Sequence, residues 1–411
     1  MNTPTIAPFE LEVLMTETLT SAASDFETAE SEVRGLTVEK RVECSAPFKT
    51  SDGRQFIAIG DSEGVWIGLQ SDPSSIRPVL HKKFVNGLGV LDDEGWLIVL
   101  SAKTLYAYRI ESLIPPPSES SQDHPATLPE MLSKDGEVEF FRIGRFKGRS
   151  CIICMTKEGT DSNFRVWKPA SSGVKFFSWL KKKSGPFVVS RDFCVLCHAY
   201  DVEFLVNAIA VLCDRGFEIM KVTKLKCTTI PDCDELHLEE LSERIGRSKP
   251  LALCRHGETS HLLCYSHFGL SVDNHGTPTS PLNIVEWENA AESVAFHPPY
   301  VLLFSGSGVE IRHMESGVVV QRIRGSGVKC TWKLSQQTLV WDGKNRQEGG
   351  DVKVHGVWNS TVSVDPPRPL TEPDGGAGAA SVPQRVHLRE VFQLRLRDPG
   401  NEESSADDKE L

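Results

Sequence analysis

The chain has 411 residues, with 56 acidic against 45 basic side chains and a formal net charge of −11. That balance leaves no basic excess to displace counterions, which argues against nucleic acid as the main ligand. No apolar run reaches the roughly 18 residues of a membrane-spanning helix, and the N-terminus has neither the basic start nor the apolar stretch of a secretory signal.

Residues 1–36 carry seven acids and a single base, Arg34. Leu11, Val13, Leu14 and Leu19 hint at a short helix, but the composition predicts a flexible acidic leader. Order is expected from Leu36. Arg41–Phe48 and Gln55–Gly60 read as strands joined by Ser51-Asp52-Gly53. Val65–Leu69 follows the turn Asp61–Gly64. Val85–Leu91, Trp96–Ser101 and Thr104–Ile110 come next, at spacings of about ten residues. A Ser/Pro/acid-rich stretch over 114–136 cannot pack a core and reads as a disordered insertion.

The strand pattern resumes at Glu139–Ile143, Ser150–Thr156, Phe164–Pro169, Val174–Leu180 and Pro186–Ser190. It continues through Phe193–His198, Val202–Leu205, Ile209–Cys213 and Arg215–Ile219. Thr228–Asp232 is expected as a loop. Asp234–Ile245 is the one clear helix candidate, with Leu236, Leu238, Leu241 and Ile245 among acids.

From Leu251 to Trp332 short apolar runs alternate with turn residues. His261–His267 and its continuation Gly269–Val272 are followed by Leu282–Trp287, Ser293–His297, Tyr300–Phe304, Val309–Met314 and Val318–Ile323. Ser305-Gly306-Ser307-Gly308 and Glu315-Ser316-Gly317 supply hairpin turns. Gln337–Asp342 and Val352–Trp358 continue the pattern. Residues 366–383 are Pro/Gly/Ala-rich and are expected to loop out. Val386–Leu396 is predicted as a late strand that closes the fold, and 398–411 as an acidic disordered tail.

Two Cys-x-x-Cys pairs invite a metal reading: Cys151/Cys154, and Cys194/Cys197 with His198 beside it. Zinc thiolates at this spacing sit in turns that aim both sulfurs at one point. Here both pairs lie in apolar strand runs, where residues three apart face opposite sides. Packed, reduced cysteines are therefore predicted, with no metal and no cofactor. An odd count of 11 cysteines without a secretory signal places the chain in the cytoplasm. No HExxH, P-loop or GxSxG motif is present, so no catalytic residue is assigned. Lys181, Lys182 and Lys183 form the only dense basic run, after Phe176–Leu180. They are the candidate partner-contacting residues, with peripheral contact to an acidic membrane surface as one use.

The strings LLCYSHFGLSVDNHG, NIVEWE, VAFHPPYVLLF and VEIRHMESGVVVQRI, in that order, resemble the citron homology (CNH) domain. The version at the C-terminal end of fungal Rho guanine-nucleotide exchange factors is the nearest likeness. Val309–Gly317 is the most specific piece, and LIVLSAKTLYAYRIESL and RGFEI support it. The resemblance implies an all-β fold, a seven-bladed β-propeller of four-stranded antiparallel blades. Repeat length agrees: 37–397 without the two insertions leaves 320 positions, or about 46 for each of seven units.

The resemblance also implies a non-catalytic scaffold that binds a Rho-type small GTPase or other Rho-pathway proteins. The alternatives are a subunit of a vesicle or vacuole tethering complex, or a truncated remnant of an exchange factor. An enzyme working on a propeller face has no motif behind it. The exchange factors carry a helical catalytic domain and a lipid-binding domain ahead of this region, and 1–36 is too short for either. No exchange activity is therefore expected of this chain by itself.

Overall fold

In the computed structural model the described residues are 7–19, 41–114, 128–133, 137–146, 148–170, 185–205, 207–221, 226–233, 239–256, 260–279, 283–333, 354–364 and 384–397. Alternating apolar runs cut by turn residues fold as their two-residue period dictates, into short antiparallel strands. These assemble as seven four-stranded blades in a ring, a seven-bladed β-propeller.

The first strand, β1 (Phe9–Leu19), belongs to the last blade. Blade 1 is β2 (Cys44–Lys49), β3 (Gln55–Gly60), β4 (Gly64–Leu69) and β5 (Arg77–His81). Blade 2 is β6 (Val85–Leu91), β7 (Trp96–Ser101), β8 (Thr104–Arg109) and β9 (Glu130–Met131). Blade 3 is β10 (Val138–Phe146), β11 (Arg149–Glu158), β12 (Asp161–Pro169) and β13 (Phe187–Val195). Blade 4 is β14 (Ala199–Phe204), β15 (Ile209–Cys213), β16 (Gly216–Lys221) and β17 (Lys226–Ile230). Helix α1 (Glu239–Gly246) follows it. Blade 5 is β18 (Pro250–His256), β19 (Ser260–Tyr265), β20 (Phe268–Asp273) and β21 (Ile284–Glu286). Blade 6 is β22 (Ser293–His297), β23 (Tyr300–Ser305), β24 (Gly308–His313) and β25 (Val319–Arg324). Blade 7 is β26 (Ser326–Trp332), β27 (Val354–Val364) and β28 (Gln384–Leu396), with β1 as its outer strand.

The late strand expected at Val386–Leu396 is found as β28, and it does lie beside an early strand. That early strand corrects the leader expected over 1–36 for residues 9–19, while 1–6 and 20–36 lie outside the described residues. Residues 9–19 pair with β28 from Phe9↔Leu396 to Leu19↔His387, with a register shift between Val13 and Met15. Two of the acids that suggested disorder lie on the outward half of an alternating strand: Glu10 pairs with Arg395, and Glu12 accepts from Gln393. Phe9 and Leu14 are the buried half.

Part of the insertion expected over 114–136 is ordered. Glu130–Met131 pairs with β8, and Leu132 is buried beside it. The loop expected at Thr228–Asp232 is largely β17, held to β16 through Phe217↔Ile230. Pro186–Ser190 and Phe193–His198 are a single strand up to Val195, β13. Conversely, His261–Val272 is not one run: a turn at Ser266-His267 divides β19 from β20. The helix begins at Glu239 in the described residues. Val174–Leu180, Gln337–Asp342, 366–383 and 398–411 lie outside the described residues.

The core is divided among the seven interfaces between neighbouring blades. Cys151, Phe164 and Phe204 pack between blades 3 and 4, and Leu253, Leu263 and Tyr265 between 4 and 5. The seam between blades 7 and 1 holds the smallest cluster, with Leu14, Val42, Ile57, Ile59, Val357 and Val391. Each such side chain, taken out of water, contributes about 1.5–3 kcal/mol. Small residues let the inner strands approach. A Cβ on Gly144 of β10 would lie 2.3 Å from the Phe204 ring of β14. In the Ser305–Gly308 turn, Gly308 has φ 153°, and a Cβ there would lie 2.3 Å from the Ile323 carbonyl oxygen.

Candidate functional site

The innermost strand of each blade faces the central channel, so charge on those strands meets across the ring. On β10 the Arg142 guanidinium forms a two-pronged ion pair with Asp201 of β14, with Nε–Oδ1 at 2.7 Å and Nη2–Oδ2 at 2.8 Å. Two residues further along β14, Glu203 accepts from Lys333 Nζ at 2.8 Å. Lys333 follows β26, the inner strand of blade 7, so this pair reaches across the channel from blade 7 to blade 4. The Glu203 side chain is only 8% exposed, which makes it dependent on that partner.

Burial disfavours the Asp201 charge, but Arg142 and Lys333 outweigh it and hold the carboxyl below its ordinary value. Burial likewise works against the Lys333 ammonium, and Glu203 and Asp201 outweigh it and raise its pKa. The Cys330 thiol on the channel-lining strand is pushed up to about 11 by burial, against the pull of Lys333. This is a fixed, mutually neutralising cluster that ties three blades together. Sequence reading did not single out these residues. The available signal was a charge inside an apolar inner-strand run, Val202-Glu203-Phe204.

A second polar constellation lies in the string most characteristic of the resemblance. Glu310 and Arg312 alternate on β24 as a buried ion pair. Arg312 Nη1 donates to the Gly317 carbonyl at 2.7 Å, and its guanidinium lies 5.7 Å from the Trp287 ring centre. Glu310 also accepts from the Glu288 amide at 3.3 Å. The Val-Glu-Ile-Arg-His-Met-Glu-Ser-Gly string therefore closes its own hairpin and anchors the crossover from blade 5 to blade 6. Its work is structural. Beside it, a cleft of about 430 Å³ runs along β24 and β25 past the exposed Glu288–Arg322 pair.

A cleft of about 460 Å³ opens beside blade 3. The fourth strand of blade 2, β9, has only two residues. Its wall combines Trp167 and Phe193 with Thr156, Asn163 and the Arg165–Asp192 pair, whose two hydrogen bonds measure 3.0 and 3.1 Å.

The sequence candidates fall as follows. Lys181, Lys182 and Lys183 lie outside the described residues. The strands that flank them, β12 and β13, are a third and a fourth blade strand. Cys151 and Cys154 occupy opposite faces of blade 3, one in the core toward blade 4 and the other in the core toward blade 2. Cys194 is exposed and Cys197 buried. None of the 11 cysteines is joined in a disulfide.

The propeller architecture and its string at Val309–Gly317 agree with the comparison to known families, in which the CNH domain matches residues 53–333. The chain belongs to the CNH domain family. Among curated relatives, "Rho1 guanine nucleotide exchange factor 1" of Schizosaccharomyces pombe is 26% identical over 313 residues, covering 73% of this chain and 22% of the relative. "RHO1 GDP-GTP exchange protein 2" of Saccharomyces cerevisiae is 23% identical over 270 residues, covering 64% of this chain and 19% of the relative. The chain thus spans about a fifth of the length of these relatives. Among solved structures, the "AfRom2 CNH domain" superposes with a TM-score of 0.65 at 20% identity, covering 95% of this chain and 99% of that one. Among the described residues no helix is long and apolar enough to cross a membrane.

Proposed function

We propose that this CNH propeller is a non-catalytic interaction module of Rho signalling that binds a Rho-type GTPase or another regulator of that pathway. The observation that carries the reading is the likeness of 73% of the chain to one part of a fungal Rho1 exchange factor. The physical form suits the role. Ring closure leaves each blade only its outer strand as an open edge, and the connecting loops are presented on a rigid frame. Its central channel is occupied by the Arg142–Asp201 and Glu203–Lys333 pairs, which neutralise one another and brace the blades. We read the chain as the part that positions a partner. In this reading nucleotide exchange belongs to other domains of the relatives. The basic run Lys181–Lys183 is the first place to look for contact with an acidic partner. We place the protein in the cytoplasm, brought to the membrane by its partners; free cysteines suit that reducing compartment.

The test is calorimetry of the full chain with a fungal Rho1 GTPase, loaded in turn with GDP and with a non-hydrolysable GTP analogue. Saturable binding that differs between the two nucleotide states supports the reading. No binding to either state at high-micromolar concentration overturns it.

A further inference from the structure

The fold makes a thiol pairing that neither Cys-x-x-Cys motif contains. Cys197 sits in the crossover from β13 to β14, Cys213 ends β15, and Asp214 opens the β15–β16 hairpin. The Cys197 Sγ, the Cys213 Sγ and a carboxylate oxygen of Asp214 all lie within 4.8 Å of one another. We propose that Cys197, Cys213 and Asp214 form a binding site for a thiophilic divalent cation, with zinc as the reference ion and water completing the coordination.

The backbone around the three groups is held from several sides. Ser162 of β12 donates its hydroxyl to the Cys197 carbonyl at 2.8 Å and accepts from the Ala199 amide at 2.9 Å. The Asp214 amide donates to the His198 carbonyl at 3.1 Å, tying the hairpin to the crossover. Arg215 Nη2 donates to the Leu196 carbonyl at 2.9 Å, a second tie between the same two segments. Only side-chain rotation is then needed to bring the ligand atoms to tetrahedral spacing, which for Zn–S bonds of about 2.3 Å is about 3.8 Å between sulfurs.

The donor set selects the ion. Two sulfurs and one carboxylate suit zinc or cadmium, whereas magnesium and calcium require oxygen-rich sites. Burial of both thiols with exposure of Asp214 leaves one open side for entry and for a water ligand. The neighbouring His198 has its Nδ1 buried with no hydrogen-bond partner among the described residues, and its ring meets Tyr200 edge-on at 5.0 Å. An ordinary cysteine thiol carries its proton at neutral pH, and zinc binds the thiolate. Each Zn–S bond that forms therefore releases one thiol proton to solvent. Affinity then rises by up to about tenfold per pH unit for each thiol proton displaced. The site lies at the junction of blades 3 and 4. A bound ion would clip the crossover to the hairpin tip, independently of any Rho partner.

The experiment titrates Zn2+ alone into the metal-stripped full chain under reducing conditions, with calorimetry in two buffers of different ionisation enthalpy to count protons. Co2+ replaces Zn2+ for a spectroscopic readout. The expected result is one ion per chain, proton release, and a thiolate-to-cobalt charge-transfer band. Asp214→Asn, at an exposed position that leaves the core untouched, weakens binding by about tenfold or more. Cys197→Ser removes the band, and Cys194→Ser leaves it intact. The proposal is overturned by an absence of saturable Zn2+ binding. It is equally overturned by a cobalt spectrum without thiolate character, or by binding that survives both Cys197→Ser and Asp214→Asn.

Discussion

The Phe9 amide donates to the side-chain oxygen of Gln321 at 2.8 Å, and Gln321 Nε2 returns a hydrogen bond to the Phe9 carbonyl at 2.9 Å. The two residues are 312 positions apart. Through this exchange the outermost strand of blade 7 is fastened to the outermost strand of blade 6. The Phe9 ring fills the same seam, edge-on to His297 at 5.2 Å and to Tyr300 at 5.5 Å.

The N-terminal strand should therefore govern stability. Phe9→Ala removes a fully buried ring from the interface between blades 6 and 7, a change that costs about 3–5 kcal/mol. Gln321→Ala leaves the Phe9 amide and carbonyl without these partners and costs about 1–3 kcal/mol. Urea unfolding followed by tryptophan fluorescence should show both losses, the first larger. An unchanged midpoint for Phe9→Ala would refute the closure role of β1.

The pair across the channel makes a signed prediction with pH. Lys333 has a raised folded pKa, so its contribution is complete below the unfolded value of about 10.4 and fades as pH rises through the folded value. Asp201 has a lowered folded pKa, so its contribution is complete above about 3.9 and fades as pH falls through the folded value. Lys333→Met should flatten the alkaline limb of the stability profile, and Asp201→Asn the acid limb.

Removing Lys333 also leaves Glu203 unpaired at 8% side-chain exposure, a loss of up to about 3–5 kcal/mol at neutral pH. Lys333→Met combined with Glu203→Leu should recover most of it, because no charge is then stranded. Thermal unfolding of the single and double variants at pH 7 reads the difference directly. A double variant as unstable as Lys333→Met would contradict the pairing.

Thiol chemistry should separate the cysteines. Cys194 and Cys227 are the exposed ones. Cys227 is held back because partial burial of its sulfur and its hydrogen bond to Glu218 push the thiol up to about 12. Cys194 should label first in the native chain, and Cys151 and Cys154 only on unfolding. Peptide mapping after timed alkylation distinguishes them.

The proposed role as an interaction module predicts that the chain leaves the rate of GDP release from a Rho1 GTPase unchanged. Fluorescent-nucleotide release with and without excess chain measures this. An acceleration of tenfold or more, about 1.4 kcal/mol of barrier, would make it an exchange factor in its own right.

The boundaries of β3, β6, β7, β15 and β22 could be read directly, because alternation and turn residues are local properties of the chain. The family strings were equally legible. Val309–Gly317 stands out because Glu310, Arg312 and Gly317 must satisfy one another within a single hairpin. Local reading failed where a strand draws its support from far away. Phe9–Leu19 alternates too, but its acids resemble a solvated tail until Arg395 and Gln393 face them. β9, only two residues long, has no period to read.

The sequence by itself determined the class of this protein: its strand density, its repeat length and its CNH likeness follow from residue order alone. Only the tertiary structure decided which segment completes blade 7. It also placed Lys333 against Glu203, and set Cys197 beside Cys213 instead of Cys194. The physical reason is ring closure. Once seven blades close on themselves, inner strands and crossovers far apart in the chain are forced into contact, and no local pattern encodes those pairings.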